Sequence, residues 1–149
     1  MTEPFDILLV EDNPDDVELT LETLRSNHIS NRVEVARDGA DAIAMLFDPG
    51  GLADRGRSAL PRLILLDLKL PKVGGLEVLE RLRADARTRT IPVVVLTSSR
   101  EDPDVAASYR LGANSYIVKP VEFDRFIVTI RELGFYWLIV NEPPDGRRH

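Results

Sequence analysis

Four short apolar runs govern how this chain can fold. Ile7-Leu8-Leu9-Val10 stops at Glu11-Asp12, Leu63-Ile64-Leu65-Leu66 at Asp67, and Val93-Val94-Val95-Leu96 at Thr97. The fourth, Tyr116-Ile117-Val118, runs into Lys119-Pro120. A strand with one wet face would alternate apolar with polar residues, and these runs do not. Continuous runs of this length, rich in Val and Ile, predict strands covered on both faces, as in a parallel sheet. Val33-Glu34-Val35 does alternate and is expected at a sheet edge.

Helical signals fill the gaps. Asn13-Pro14 reads as an N-cap followed by proline at the first helical position, with Asp15 and Asp16 favourable in the first turn. Val17, Leu21, Leu24 and His28 follow at helical spacing, and Asp38 is placed to cap a helix carrying Ile43 and Leu46. Leu76, Leu79 and Arg83 share a face beside Val78 and Leu82, with Glu77 and Arg81 set for an i,i+4 pair. Asp102-Pro103 repeats the cap-and-proline signal, and Gly112 suits the end of that helix. Phe123, Phe126, Ile127, Ile130 and Leu133 form the stripe of a last helix.

The order is strand then helix, five times over. It implies an α/β, flavodoxin-like doubly wound (βα)5 fold with a five-stranded parallel sheet of order 2-1-3-4-5 and helices on both faces. Folds of this kind place their sites at the carboxyl ends of strands 1 and 3. Residues 48–61 contain Gly and Pro and are expected to form a long exposed loop. Residues 1–140 read as one domain whose last helix is extended, and 141–149 as a flexible tail.

A chain of 149 residues has room for one compact domain. It has no cysteine, which removes disulfides, thiolate nucleophiles and zinc–sulfur sites together. The net charge of −6 argues against a nucleic-acid surface, which needs clustered Lys and Arg. The acidic start Met1-Thr2-Glu3-Pro4-Phe5-Asp6 lacks the layout of a secretory signal. No apolar run approaches the roughly 20 residues that span a bilayer. A cytoplasmic protein with no membrane or nucleic-acid partner is expected.

Under this topology Glu11, Asp12 and Asp67 meet at the ends of adjacent strands. Three carboxylates packed together repel one another unless a cation neutralises them. Oxygen-only ligands in a water-accessible site suit Mg²⁺, whose remaining positions stay open to phosphoryl oxygens. Thr97 can donate its hydroxyl to such an oxygen, and Lys119 can supply a cation. Phosphoryl transfer needs an in-line nucleophile with Mg²⁺ and donors on the equatorial oxygens. Asp67 would be that nucleophile, forming an acyl phosphate.

The residues carrying this constellation resemble the response-regulator receiver family of two-component systems. The matching pieces are Leu8-Leu9-Val10-Glu11-Asp12-Asn13, Leu65-Leu66-Asp67-Leu68-Lys69-Leu70-Pro71, Gly74-Gly75, Val95-Leu96-Thr97-Ser98 and Leu111 to Pro120. Together they cover about Phe5 to Leu133, and their order and separations are family-like. The resemblance implies Mg²⁺ held by Glu11 through water, by Asp12 and Asp67, and by the backbone carbonyl of Lys69. It implies Asp67 as the phosphoacceptor, Thr97 and Lys119 as phosphoryl ligands, and Lys119-Pro120 as a cis peptide. Thr97 and Tyr116 would form the switch, the ring moving inward as the hydroxyl turns to the phosphoryl group. Lys69 and Ser99 stand where receivers vary and flank the route of attacking water, so acyl-phosphate lifetime does not transfer from relatives.

More narrowly, the 48–61 loop and the ending Phe135-Tyr136-Trp137-Leu138-Ile139-Val140 look like phytochrome-associated single-domain regulators. This implies a light-sensing histidine kinase as partner and an unidentified downstream protein. It also implies no enzyme in the usual sense: the chain would catalyse only its own phosphorylation and dephosphorylation. A last helix continued through Gly134 would be apolar on more than one face, which calls for a second partner. A homodimer through Val128, Phe135, Tyr136, Trp137 and Ile139 is expected. Two competing readings are a phosphate-independent scaffold and a haloacid-dehalogenase-like phosphatase. The complete acidic, hydroxyl and lysine set argues against the first. The second needs an Asp-x-Asp motif after strand 1, where this chain has Glu11-Asp12-Asn13.

Overall fold

The computed structural model describes residues 5–26, 32–70, 73–98 and 103–134. Five strands alternate with five helices: β1 (Ile7–Val10), α1 (Pro14–Ser26), β2 (Val33–Ala36), α2 (Gly39–Phe47), β3 (Leu63–Asp67), α3 (Gly75–Ala84), β4 (Val93–Thr97), α4 (Pro103–Arg110), β5 (Ser115–Val118) and α5 (Phe123–Leu133). The strands form one parallel sheet of order β2-β1-β3-β4-β5. This is the flavodoxin-like arrangement that the sequence predicts.

Successive strand residues point to opposite faces, so each apolar run feeds two cores. Leu8, Val10, Ile64, Leu66, Val93 and Val95 pack on one side with Leu46, Val78, Leu79 and Leu82 of α2 and α3. Ile7, Leu9, Leu63, Leu65, Val94 and Leu96 pack on the other with Val17, Leu24, Phe126 and Ile130 of α1 and α5. Strands β1, β3 and β4 are buried at every position, whereas the edge strand β2 is exposed at Glu34. Burying each such side chain contributes about 1.5–3 kcal/mol, and that burial explains the lack of alternation in the runs.

The helix starts follow local chemistry. Asn13 Oδ1 accepts from the backbone N–H groups of Asp15 at 2.8 Å and Asp16 at 3.2 Å. Asp38 caps α2 by accepting from the Asp41 N–H at 2.7 Å. Helix α5 ends at Leu133, where Gly134 takes φ 80° and its N–H meets the carbonyls of Arg131 and Ile130. The α-helical backbone therefore stops at Gly134. Phe135, Tyr136, Trp137 and Ile139, the 141–149 tail, His28, Ser99, Asp102 and the side chain of Phe123 lie outside the described residues.

Two expectations need correction. Arg81 does not pair with Glu77; its guanidinium lies over the Phe47 ring, 4.5 Å from the centroid, and ties α3 to α2. Residues 48–61 are not simply an exposed loop. They form two 3₁₀ turns, Leu52–Arg55 and Arg57–Ala59, and Leu52, Ala53, Leu60 and Pro61 are buried. Three of those, Leu52, Ala53 and Leu60, join the core beside α2 and α3, which holds the segment against the domain despite its glycines.

Candidate functional site

Register brings the site together. Val10 stands level with Leu66, so Glu11 and Asp67 follow at the same height on neighbouring strands. Asp67 is level with Leu96, and Thr97 with Val118, which sets Thr97 and Lys119 one step beyond. One ligand oxygen each from Glu11, Asp12 and Asp67 lies within 4.8 Å of the others. These carboxylates line a cavity of about 290 Å³ together with Asp16, Lys69, Ser98 and Lys119.

The Lys119 ammonium spans the cavity. It donates to Asp16 Oδ2 at 2.8 Å, Glu11 Oε1 at 3.2 Å and Asp67 Oδ2 at 3.3 Å. The Lys119 backbone N–H bonds to the Thr97 carbonyl at 2.7 Å, which anchors the residue at the end of the sheet, and the Lys119–Pro120 bond is cis. Asp67 Oδ1 accepts from the Lys69 N–H at 3.0 Å, and Glu11 Oε2 from the Asn13 N–H at 3.2 Å. Glu11 and Asp67 are 1% and 2% exposed, so neither can rely on water for solvation. Among the described residues, no buried side-chain polar atom lacks a hydrogen-bond partner.

The electrostatics show an excess of negative charge. Burial pushes the Glu11 carboxyl up to about 7, with the hydrogen bond and charge of Asp67 adding to the rise. Lys119 and the Asn13 N–H pull it back, but not enough to cancel it. For Lys119, burial alone would lower the pKa. The Asp16 hydrogen bond and the charges of Asp67 and Glu11 outweigh it, so the group is held above its ordinary value. One ammonium does not balance the acidic group. An all-oxygen donor set with surplus charge fits a hard divalent cation, which Glu11, Asp12 and Asp67 would hold.

Other predicted residues sit further out. Thr97 is fully buried at the end of β4, and the next residue, Ser98, lines the cavity instead. Tyr116 is half-buried on β5 and meets Tyr109 of α4 edge-on, the ring centroids 6.2 Å apart at 84°. Val128 is 52% exposed on α5. Sequence reasoning missed Asp16, which it treated only as a favourable first-turn acid. The available signal was its position four residues after Asp12, at the helix N-terminus above the same strand ends.

Gly75 gives the β3–α3 connection its shape. A Cβ there would meet the Asp67 carbonyl oxygen and lie 2.6 Å from Leu68 Cα. Only glycine lets the start of α3 fold back onto the backbone that carries Asp67.

A doubly wound sheet with three acids, a lysine and a threonine at its carboxyl edge has the parts that a phosphoryl-accepting signalling domain needs. The response regulator receiver domain family matches residues 7–131, and the chain belongs to that family. It is thus a two-component response regulator, a class whose phosphoryl donors are histidine kinases. The chain is 42% identical over 142 residues to the probable methanogenesis regulatory protein FilR2 of Methanothrix harundinacea, covering 95% of this chain and 89% of that protein. It is 39% identical over 135 residues to the response regulator Rcp1 of Synechocystis, covering 91% and 90%. Among solved structures, the bacteriophytochrome response regulator RtBRR superposes with a TM-score of 0.80 at 52% identity, covering 97% of this chain and 86% of that one. The Mn²⁺-bound form of Rcp1 superposes with a TM-score of 0.71 at 38% identity, covering 95% and 99%. Receiver domains bind a divalent metal, and the acidic cluster supplies the residues for one here.

Proposed function

We propose that Asp67 accepts a phosphoryl group from a histidine kinase, with Mg²⁺ held by Glu11, Asp12, Asp67 and the Lys69 carbonyl. The observation that carries this reading is the convergence of Lys119 on Asp67, Glu11 and Asp16 within 3.3 Å. An Asp67 oxygen attacks phosphorus, the P–N bond of the phosphohistidine breaks, and the imidazole leaves with the bonding electrons. The metal supplies charge neutralisation for the incoming phosphoryl oxygens. Lys119 exchanges part of its contact with Asp67 for a phosphoryl oxygen, and Thr97 donates its hydroxyl after a rotation toward the cavity. Movement of Thr97 then opens space for Tyr116, whose ring leaves Tyr109 and alters the α4–β5 surface. Phosphorylation shifts the conformational equilibrium only through such differential contacts.

RtBRR supports a bacteriophytochrome-type kinase as donor. Exposed Val128 supports a homodimer through α5 and the segment after it. A cytoplasmic setting belongs to the same proposal, resting on the family's work with histidine kinases; among the described residues no helix is long and apolar enough to cross a membrane. Self-catalysed phosphorylation and dephosphorylation belong to the same proposal. Incubation with Mg²⁺ and acetyl phosphate is expected to add one phosphoryl group, read by intact mass. Asp67→Ala should add none; a labelled Asp67→Ala protein rejects the assignment. Phosphotransfer from a bacteriophytochrome kinase, with sedimentation before and after, tests the partner and the dimer.

A further inference from the structure

The second cavity of interest lies at the opposite end of the sheet. It has a volume of about 530 Å³ and opens where the chain enters β3 at Pro61-Arg62 and β4 at Ile91-Pro92. Each strand is 5 residues long, which separates this base from the acidic edge by roughly 15 Å. The reshaped 48–61 segment forms one wall, and the connection from α3 to β4 forms the other.

The cavity has two kinds of surface. Its floor is apolar and buried, built from Ala53, Leu60, Pro61 and Ile91. Its rim carries four arginines, Arg57, Arg62, Arg87 and Arg89, of which Arg87 is neutralised by Asp54 and Asp85 beside it. The chain as a whole is acidic at −6, and against that average Arg57 and Arg89 add positive charge at this rim.

Arg87 fixes the two walls together. Its Nη2 and Nε meet Asp85 at 2.8 Å and 3.0 Å, and its Nη1 reaches Asp54 on the facing segment at 2.6 Å. Arg57 and Arg89 make no ion pair among the described residues, and both are exposed at the rim. An arginine fork matches phosphate oxygens two at a time, and guanidinium is less strongly hydrated than ammonium. The volume lies within the 300–1,000 Å³ usual for small-ligand sites, and a few charged groups over an apolar floor is their usual lining.

We propose that this basal cavity binds a small organic phosphate, its phosphate at Arg57 and Arg89 and its less polar body on Leu60, Pro61 and Ile91. The bound compound bridges the 48–61 segment and the α3–β4 connection. This inference does not rest on the phosphoacceptor reading, because it uses none of the same residues.

The test uses the full chain without divalent metal, titrated with adenosine diphosphate, ribose 5-phosphate and inorganic phosphate. Calorimetry and amide NMR shifts are the readouts. Saturable binding of either organic phosphate is expected, tighter than inorganic phosphate, with shifts centred on Gly56, Leu60 and Ile91. Preference between the two organic probes distinguishes a nucleotide from a sugar phosphate. Affinity should fall at least tenfold in the Arg57→Glu, Arg89→Glu double variant and stay unchanged in Asp67→Ala. Both arginines are exposed, and a matching circular dichroism spectrum confirms that the double variant folds. The proposal is overturned by no binding of any probe, by equal affinity for inorganic phosphate, by an unaffected double variant, or by loss in Asp67→Ala. A glutamate-rich peptide that binds where the organic phosphates do not would also overturn it, in favour of a protein partner.

Discussion

At the scale of residues, the Lys119 ammonium determines how much negative charge the acidic edge can hold. It touches three carboxylates while its own side chain is 18% exposed. Lys119→Met keeps much of the side-chain length and removes the charge. Loss of one positioned donor to transferring oxygens costs roughly 10²–10³ in rate, so phosphorylation by acetyl phosphate should slow by about that factor in a folded protein. Unchanged labelling kinetics would remove Lys119 from the proposed chemistry. Asp67 and Lys119 were legible because each follows an apolar run, and a polar residue closing a buried strand is costly unless paired. Asp16 was not legible in the same way. Its partner is 103 positions away, and an acid in the first turn of a helix already has a local explanation.

At the scale of elements, the β3–α3 connection depends on a close backbone approach. Gly75→Ala would drive a Cβ against the Asp67 carbonyl and Leu68 Cα, both backbone atoms with little room to yield. Overpacking of this kind costs about 1–3 kcal/mol, and chemical denaturation should show the loss. Phosphorylation should fall as well, since the displaced backbone carries Asp67. The cap of α2 makes a milder comparison: Asp38→Ala removes the 2.7 Å bond to the Asp41 N–H and should cost about 1 kcal/mol without affecting phosphorylation. Strands and caps could be read from the sequence because each carries its own periodicity or side-chain signal. The 48–61 segment could not. Leu52 and Ala53 are separated from Ala59 and Leu60 by Asp54-Arg55-Gly56-Arg57-Ser58, too sparse an apolar pattern to declare a buried face, so their burial depends on surfaces that α2 and α3 provide only after folding.

At the scale of the whole molecule, the site couples protonation, metal binding and stability. The folded protein holds the Glu11 carboxyl near 7, up from 4.5, chiefly because burial disfavours the charged form. The folded state therefore binds a proton more tightly than the unfolded chain. The stability from this site is fully present below pH 4.5 and is lost as pH rises through about 7. Asp85 is held down at about 2 by the Arg87 hydrogen bonds, so its contribution varies only at lower pH. Metal-free protein should thus lose thermal stability between pH 5.5 and pH 8, by an amount on the order of 1–3 kcal/mol. Glu11→Gln should flatten that slope, because the amide keeps the shape and cannot titrate. A divalent cation should reverse it, since binding requires ionised carboxylates and stabilises the folded state in proportion to occupancy. Melting curves across this pH range, with chelator and with Mg²⁺, measure all three. A slope that persists in Glu11→Gln would locate the titrating group elsewhere and reject the upward shift assigned to the Glu11 carboxyl.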